Sequence, residues 1–222
     1  MSREPIVMSW SGGKDSAMAL WELLKSGVYD VRYLLTTVTR DYGRVSMHGV
    51  REGLLRRQAE MLGVPLDVAY LSKRSSNEEY ESVMREKLER YKSLGISLVA
   101  FGDLFLEDIR RYREERMSRV GMSCRFPLWG EPTAELARRF ISSGFRAVLC
   151  TVDPKALDCG FAGREFSGEF LRDIPENVDP CGENGEFHTF VYDGPIFRER
   201  IGIRVGETVL RDSFCFADVL AA

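Results

Sequence analysis

The sequence has no long apolar run and few cysteines. Nowhere do 18 apolar residues follow one another, and the N-terminus lacks the apolar core of a secretory signal. The five cysteines include no CxxC pair and no zinc-like spacing, and their odd number argues against a disulfide framework. We therefore expect a cytoplasmic protein that does not engage a membrane.

A charge excess of one sign is also lacking. The chain carries 31 Lys and Arg against 34 Asp and Glu, a net charge of −3, so no global positive field recruits nucleic acid and we expect no such partner. Arginine outnumbers lysine 25 to 6, which fits either genome composition or fork-shaped binding of oxyanions. At 222 residues the chain fits one sizeable domain with a smaller appendage.

Apolar runs alternate with amphipathic segments over the first 153 residues. Strand patterns cover 4–10, 31–39, 65–71, 96–102 and 145–153, with a short extended piece at 124–130. Helical patterns cover 15–26, 50–62, 77–93, 106–121 and 133–144. Gly27 is expected to end the first helix and Thr133 to cap the last. The alternation predicts an α/β fold, a doubly wound parallel sheet covered on both faces, in a domain spanning 1–153.

The alternation of strand and helix patterns ends after residue 153. The following segment is rich in Gly, Pro, Asp and Glu, with one short helix expected near 165–173. The tail over 201–221 alternates like an antiparallel strand pair. These patterns predict a small α+β C-terminal subdomain over 154–222, packed against the edge of the sheet and available to bind substrate.

The stretch "SGGKDS" (11–16) lies where the first strand gives way to the first helix. Unpaired N–H groups and the helix dipole favour an anion there, and glycines let the backbone wrap it. A Walker A loop would need Gly at Met8 and Ser or Thr at Asp15, and the dinucleotide pattern GxGxxG is also missing. The residues predicted to bind phosphate are Ser9, Ser11, Gly12, Gly13, Lys14, Asp15 and Ser16.

The same six residues resemble the PP-loop of the N-type ATP pyrophosphatases. That resemblance implies that ATP is cleaved between its α- and β-phosphates, that AMP passes to an acceptor oxygen and that pyrophosphate leaves. Lys14 would stabilise charge on the departing group, and Mg²⁺ would bridge phosphate oxygens. Asp15 would then either position the Mg²⁺ or cap the helix.

Three downstream stretches narrow the family. "FGDLFLEDIRRYREE" (101–115), "FPLW" (126–129) and "GENGEFHTFVYDGP" (182–195) resemble the diphthine–ammonia ligase group of diphthamide-synthesis-related ATP-binding proteins. The resemblance implies a HUP-type, Rossmann-like sheet and amidation of a carboxylate, that of diphthine on elongation factor 2, with ATP and ammonium. Asn184 and His188 depart from the ligases proper and resemble a bacterial branch, for which another small acid, for example in cobamide salvage, is the alternative acceptor.

Two other classes stay open. A non-catalytic module that binds ATP or AMP is one, although binding alone does not require Lys14, Asp15 and the acids near 183. Sulfur transfer is the other, although paired cysteines are missing. The sequence also leaves the oligomeric state open, a homodimer included.

Several residues outside the phosphate motif are candidates for ATP contacts. Thr36 and Val38 would offer backbone edges and a wall to adenine, or simply form a strand. His48 lies in the loop where the family places its adenine pocket. Gly102 and Asp103 end a strand at the same sheet edge, and Asp103 either contacts ATP or its metal or caps the next helix.

The acid-rich loop near residue 185 is the candidate acceptor site. Glu183, Asn184, Gly185 and Glu186 precede an apolar run, and such polar groups are costly to bury without partners. They are predicted to bind substrate or ammonium, with His188 as an acid–base group, although an Asn-Gly hairpin turn explains the same letters. The predicted catalytic set is Lys14, Asp15, Glu183 and Glu186.

Overall fold

Two sheets organise the chain, which a computed structural model describes for residues 3–46 and 48–222. The residue at position 47, within the polar loop expected after the second strand, lies outside the described residues. The first ten elements are β1 Glu4–Ser9, α1 Lys14–Ser26, β2 Tyr29–Thr39, β3 Arg44–Val45, α2 Glu52–Leu62, β4 Leu66–Leu71, α3 Asn77–Ser93, β5 Leu98–Ala100, α4 Glu107–Arg119 and β6 Ser123–Arg125. The others are α5 Thr133–Ser142, β7 Arg146–Val152, a 3₁₀ turn Cys159–Phe161, α6 Gly168–Asp173, β8 Phe187–Asp193, β9 Ile203–Arg211 and β10 Phe214–Ala221.

The first sheet is parallel and doubly wound, as predicted. Its parallel strands lie in the order β4-β2-β1-β5-β6, and β3 adds a short antiparallel pairing to the end of β2. The strand order reverses at β1, since β2 and β4 lie on one side of it and β5 and β6 on the other. Ligands of such sheets collect at the carboxyl ends of the strands at this reversal, which here are the ends of β1 and β5.

Helix α1 fills the space between the sheets. Its buried face includes Ala17, Leu20 and Leu23 at helical spacing, and it contacts both β2 and β8. Gly27 ends it in the left-handed conformation (φ 66°) and donates its N–H to the carbonyl of Leu24, as its position in the sequence predicts. One apolar core therefore runs through both sheets, and a smaller one lies under α3 and α4.

The second sheet is antiparallel, in the order β8-β7-β10-β9. The strand pair expected over 201–221 is confirmed as β9 and β10, joined at Asp212 and Ser213, which both have positive φ. The strand expected over 145–153 also exists, but its placement in the parallel sheet was wrong. Strand β7 is internal to the antiparallel sheet, because β8 pairs with one of its edges and β10 with the other, both in the antiparallel direction. The division into domains at residue 153 stays a prediction.

Two local expectations were also wrong. Thr133 does not cap α5, because Pro132 occupies the cap position and the Thr133 hydroxyl donates to Asp179 Oδ2 at 2.6 Å. Cys159 and Cys215 form a disulfide that ties the 3₁₀ turn to β10, a single cross-link that the odd cysteine count did not suggest. Among the described residues, no helix is both long and apolar enough to cross a membrane.

Candidate functional site

Two adjoining cavities open at the carboxyl ends of β1, β2 and β5. The larger has a volume of about 870 Å³ and the smaller one of about 230 Å³. The smaller lies against the start of α1 and the loop before β8, whereas the larger extends between α3 and α4. Six residues line both of them, namely Ser9, Ser11, His48, Phe101, Arg113 and His188.

The phosphate loop, residues 11–16, is held by side chains of its own and by β8. The Ser11 hydroxyl accepts the N–H of Gly13 at 3.2 Å, and the Ser16 hydroxyl donates to the Gly13 carbonyl at 2.9 Å. The N–H of Lys14, at the start of α1, donates to the Thr189 hydroxyl at 3.0 Å. The loop thus reaches its bend by internal hydrogen bonds, and the Lys14 and Gly13 N–H groups expected to face phosphate have protein partners.

The two glycines of the loop serve contacts within the protein. Gly12 has a φ of 80°, and a Cβ there would lie 2.7 Å from Gln58 Oε1. A Cβ on Gly13 would lie 3.0 Å from the Thr189 carbonyl and 3.2 Å from the His48 ring. Neither glycine lines a cavity. Their missing side chains allow α2 and β8 to approach the loop, so their predicted contact with ATP stays a prediction.

Gln58, which the sequence did not single out, fixes the loop from α2. It is fully buried, accepts the Trp10 indole N–H at 2.9 Å, and donates to the carbonyls of Gly12 at 2.9 Å and Val191 at 2.6 Å. Val191 in turn donates its N–H to the Gly12 carbonyl at 2.9 Å. A polar residue in the apolar face of a helix was the available signal, since a buried amide requires partners.

Lys14 joins the phosphate loop to the C-terminal loop, residues 179–187. Its ammonium lies 2.9 Å from both carboxylate oxygens of Asp15 and also donates to the Cys181 carbonyl. It is 3% exposed. Burial lowers the pKa of Lys14, but Asp15, Cys181 and Glu183 raise it by more, so the net direction is upward and the ammonium stays charged. This residue places one positive charge between the two loops.

Glu183 brings the C-terminal loop into the smaller cavity. Its Oε1 accepts the N–H of Leu104 at 2.7 Å, which anchors it beside the end of β5. Burial raises the pKa of Glu183 to about 7, and the negative charge of Asp15 adds to the rise. A carboxylate that titrates near neutrality can accept a proton in a reaction at that pH.

The other predicted site residues of that loop, Asn184, Gly185 and Glu186, line neither cavity. Glu186 is buried and its Oε1 accepts the N–H of Asp179 and the Asn184 amide, each at 3.0 Å. Its Oε2 has no hydrogen-bond partner among the described residues. Asn184 is exposed and Gly185 has a φ of 90° in the turn. The structure therefore gives these three a place in the loop's own framework, and their predicted substrate role stays a prediction.

His48 and His188, the two histidines of the chain, stack on each other at the junction of the cavities. Their ring centres lie 4.4 Å apart with 28° between the planes. Burial lowers the pKa of His188 to about 4, and burial followed by the neighbouring His188 lowers that of His48 well below its usual value. Both imidazoles are neutral at pH 7, so His188 is a poor candidate for the acid–base role expected of it. His188 lines both cavities, and its contact with substrate stays a prediction.

The candidate ATP-contact residues at the strand ends differ in whether they line a cavity. Thr36 lines the larger cavity and its hydroxyl, although buried, has no partner among the described residues, whereas Val38 is buried in the core and lines neither cavity. Asp103 lines the smaller cavity and accepts two hydrogen bonds from Arg113, at 2.7 and 3.0 Å. It does not cap α4, because Leu106 holds that position.

Gly102 and Asp15 lie against each other at the start of α1. A Cβ on Gly102 would lie 2.9 Å from the backbone of Asp15, so glycine permits the close approach of β5 to the helix. Asp15 lines the smaller cavity, but both its oxygens face Lys14. No group of three or more His, Cys, Asp or Glu suited to a metal occurs within residues 3–46 and 48–222. The Mg²⁺ contact expected of Asp15 stays a prediction.

The C-terminal sheet also holds the wall of the larger cavity. Asp218 on β10 accepts from Arg44 at 2.9 Å and from Arg51 at 2.7 and 3.1 Å, on either side of the turn that carries His48. Gly49 packs so closely on β10 that a Cβ would lie 2.6 Å from the Phe216 ring. Contacts separated by more than 160 residues therefore shape both cavities, and no local pattern signals them.

Comparison with known proteins shows the family of the chain. The family model described as the diphthamide synthase N-terminal domain matches residues 4–124, and that of the diphthamide synthase C-terminal domain matches residues 132–220. The chain belongs to the diphthamide synthase family. The family resemblance inferred from the motifs is thereby confirmed, although its bacterial branch is not.

Curated relatives carry one name, diphthine–ammonia ligase. That of Danio rerio is 27% identical and the match covers 94% of this chain and 90% of the relative; that of Homo sapiens is 26% identical, with 94% and 86% covered. The relative from Schizosaccharomyces pombe is 27% identical over 95% of this chain but only 38% of its own length. Family and relatives together support an ATP-dependent ligase.

A solved structure is similar in part. It is titled a predicted subunit of tRNA methyltransferase from Methanocaldococcus jannaschii, with a TM-score of 0.43 and 21% identity, and the match covers 67% of this chain and 80% of that one.

Proposed function

We propose that this protein cleaves ATP to AMP and pyrophosphate and uses the AMP to activate a carboxylate for amidation by ammonia. The observation that carries the proposal is the meeting of the phosphate loop and the C-terminal loop in one pocket, with Lys14 bonded to both. A charged ammonium at the start of a helix suits a leaving pyrophosphate, and a carboxylate with a pKa near neutrality suits the removal of a proton from ammonium, which frees ammonia to attack.

The cavities fit the nucleotide. The volume of the larger lies in the range of about 300–1,000 Å³ that small-molecule sites occupy. Thr36 offers it a buried hydroxyl that no residue in the described part of the chain pairs with, and Ser9 and Ser11 line the passage to the smaller cavity. We infer that the adenosine end of ATP lies by β2 and the β,γ-phosphates lie by α1.

The residues of the pocket then have separate roles in the proposed reaction. Lys14 and the Ser11 and Ser16 hydroxyls stabilise negative charge on the leaving pyrophosphate. AMP bound through the acceptor's carboxylate oxygen makes that oxygen a good leaving group. Glu183 holds ammonium beside the activated carbon, accepts one proton from it, and so releases ammonia as the nucleophile. Mg²⁺ supplies charge neutralisation to phosphate oxygens when it is present.

The test is a product assay. The protein is incubated with ATP, Mg²⁺, ammonium and candidate carboxylic acids, and the nucleotides are separated by chromatography while pyrophosphate is measured enzymatically. We expect AMP and pyrophosphate in equal amounts, with release that depends on acid and ammonium together. ADP and phosphate as products, or AMP release that needs a sulfide donor in place of ammonium, would contradict the proposal.

A further inference from the structure

The larger cavity continues past the nucleotide edge as a groove between α3 and α4. The strand ends and His48 form one end of this cavity, and the two helices form the walls of the other. Tyr80 and Arg85 line it from α3, and Arg113, Arg116 and Arg119 line it from α4. The groove therefore adjoins the place proposed for adenosine and the α-phosphate, and leaves room beside it for a second molecule.

The floor of the groove is apolar. Leu88 from α3, Met117 from α4 and the strand residues Leu35 and Val99 line it, and each of the four is buried. An apolar floor suits the carbon body of a ligand, since burying apolar surface away from water stabilises a complex.

The walls are basic although the protein carries a net charge of −3. Two arginines are fixed in place, since Arg113 pairs with Asp103 at 2.7 Å and lies 4.5 Å from the Phe101 ring, and Arg116 pairs with Glu81 across the groove. The other cationic residues that line it are Arg85, Lys92 and Arg119, against one further acid, Glu89.

Two of these cations have no partner of their own. Neither Arg85 nor Arg119 makes an ion pair or a side-chain hydrogen bond with any residue in the described part of the chain. They lie on opposite walls, and neither lines the smaller cavity where the phosphate loop lies. Their charge is therefore available to a ligand in the groove rather than to the β- and γ-phosphates.

We propose that this groove binds the carboxylate acceptor, and that the acceptor is a small acid with an apolar body and at least one further negative charge. This rests on the proposed function, which requires a carboxylate beside the α-phosphate. Arginine suits such a ligand because its planar guanidinium binds carboxylate and phosphate oxygens in pairs. An acceptor that carries a trimethylammonium group in place of that charge meets repulsion from the same walls.

The test uses three acids built on one ring and needs no turnover. Benzoate, terephthalate and para-trimethylammonio-benzoate are titrated calorimetrically into the full chain saturated with α,β-methylene ATP, which resists cleavage at the bond in question. We expect terephthalate to bind about tenfold more tightly than the trimethylammonium acid, the gain from two exposed ion pairs. We expect Arg85→Gln together with Arg119→Gln to remove that preference.

The control is Arg111→Gln, an exposed arginine of α4 that lines neither cavity, and it should leave all three affinities unchanged. Equal or tighter binding of the trimethylammonium acid, or no binding of terephthalate, would overturn the inference. So would a parallel loss of affinity for the ATP analogue in the double variant, because the arginines would then serve the nucleotide. Failure of the proposed function is a separate result, read from the AMP assay.

Discussion

The phosphate loop and the C-terminal loop meet in one pocket, but they differ in how the sequence encodes them. The first lies between β1 and α1, and its bend follows from six adjacent residues, with serine hydroxyls bonded to their own backbone. The second has little regular structure, and Asp179 and Glu186 hold it through hydrogen bonds with its own backbone. One loop is thus a local motif at a strand end, whereas the other holds its own shape but is positioned by its contacts with Leu104 and Lys14.

The contacts between the loops come from a third source, the long-range packing of β8 on α1. Thr189 accepts the N–H of Lys14, and Lys14 reaches the Cys181 carbonyl. Substitutions in the phosphate loop, in the C-terminal loop, or in the joint between them (the packing of α1 and α2 on β8) should therefore have different effects on the reaction. Three predictions follow that order, from the largest loss of turnover to the smallest.

Replacement of Lys14 by alanine should have the largest effect, because it removes a positive charge that contacts both Asp15 of the phosphate loop and the Cys181 carbonyl of the C-terminal loop. We expect Lys14→Ala to slow AMP formation by about 100-fold or more, the typical cost of losing a charge-stabilising donor in a water-poor site. Stopped assays of AMP give the rate. Lys25→Ala, on the exposed side of the same helix, is the matched control and should change it little. A loss of only a few-fold in Lys14→Ala would mean that Lys14 merely joins the loops.

Replacement of Glu183 by glutamine tests the C-terminal loop. Because the proposed base must be deprotonated, the wild-type rate should rise with pH through about 7, and Glu183→Gln should lose that inflection together with about 10–100-fold in rate. The raised pKa means that the folded protein binds the proton more tightly than the unfolded chain does. The contribution of Glu183 to stability therefore falls as pH rises from about 4.5 to about 7, and the variant should be the more stable one above that window. Thermal unfolding across the pH range measures this, and an unchanged pH–rate profile in the variant would contradict the role.

These two loops also show how far the sequence could lead. The phosphate loop, the doubly wound sheet and the strand–helix order of the first half were predictable, because hydrophobic period and turn residues act over short distances. The contact of Glu183 with Leu104 beside β5 was not predicted, since the family motif suggested only a role in binding substrate or ammonium. Gln58, Thr189 and Asp218 were missed, since each acts on a segment more than 40 residues away and resembles an ordinary polar residue. The placement of β7 in the antiparallel sheet was missed for the same reason, because the apolar pattern of a strand does not indicate which sheet it joins.

Replacement of Gln58 by leucine tests the joint and should have the smallest effect on turnover. The change leaves the Trp10 N–H and the Val191 carbonyl without partners, while the Gly12 carbonyl keeps the Val191 N–H. Each buried group left unpaired costs about 1–3 kcal/mol, so we expect the loss of both partners to lower the free energy of unfolding by about 2–6 kcal/mol. Because Lys14 and Glu183 stay in place, kcat should change little while the KM for ATP rises several-fold.

Urea unfolding and steady-state kinetics of Gln58→Leu measure the two quantities, with Arg57→Gln as the control, since that neighbour lies exposed on the same helix. A variant that keeps its stability but loses kcat would assign Gln58 to the reaction itself rather than to the register of the phosphate loop against β8. A variant that loses stability with an unchanged KM would show that the loop keeps its bend without α2, through the Ser11 and Ser16 hydrogen bonds alone. The division between a locally encoded loop and one placed by distant contacts would then be sharper than the structure by itself makes it.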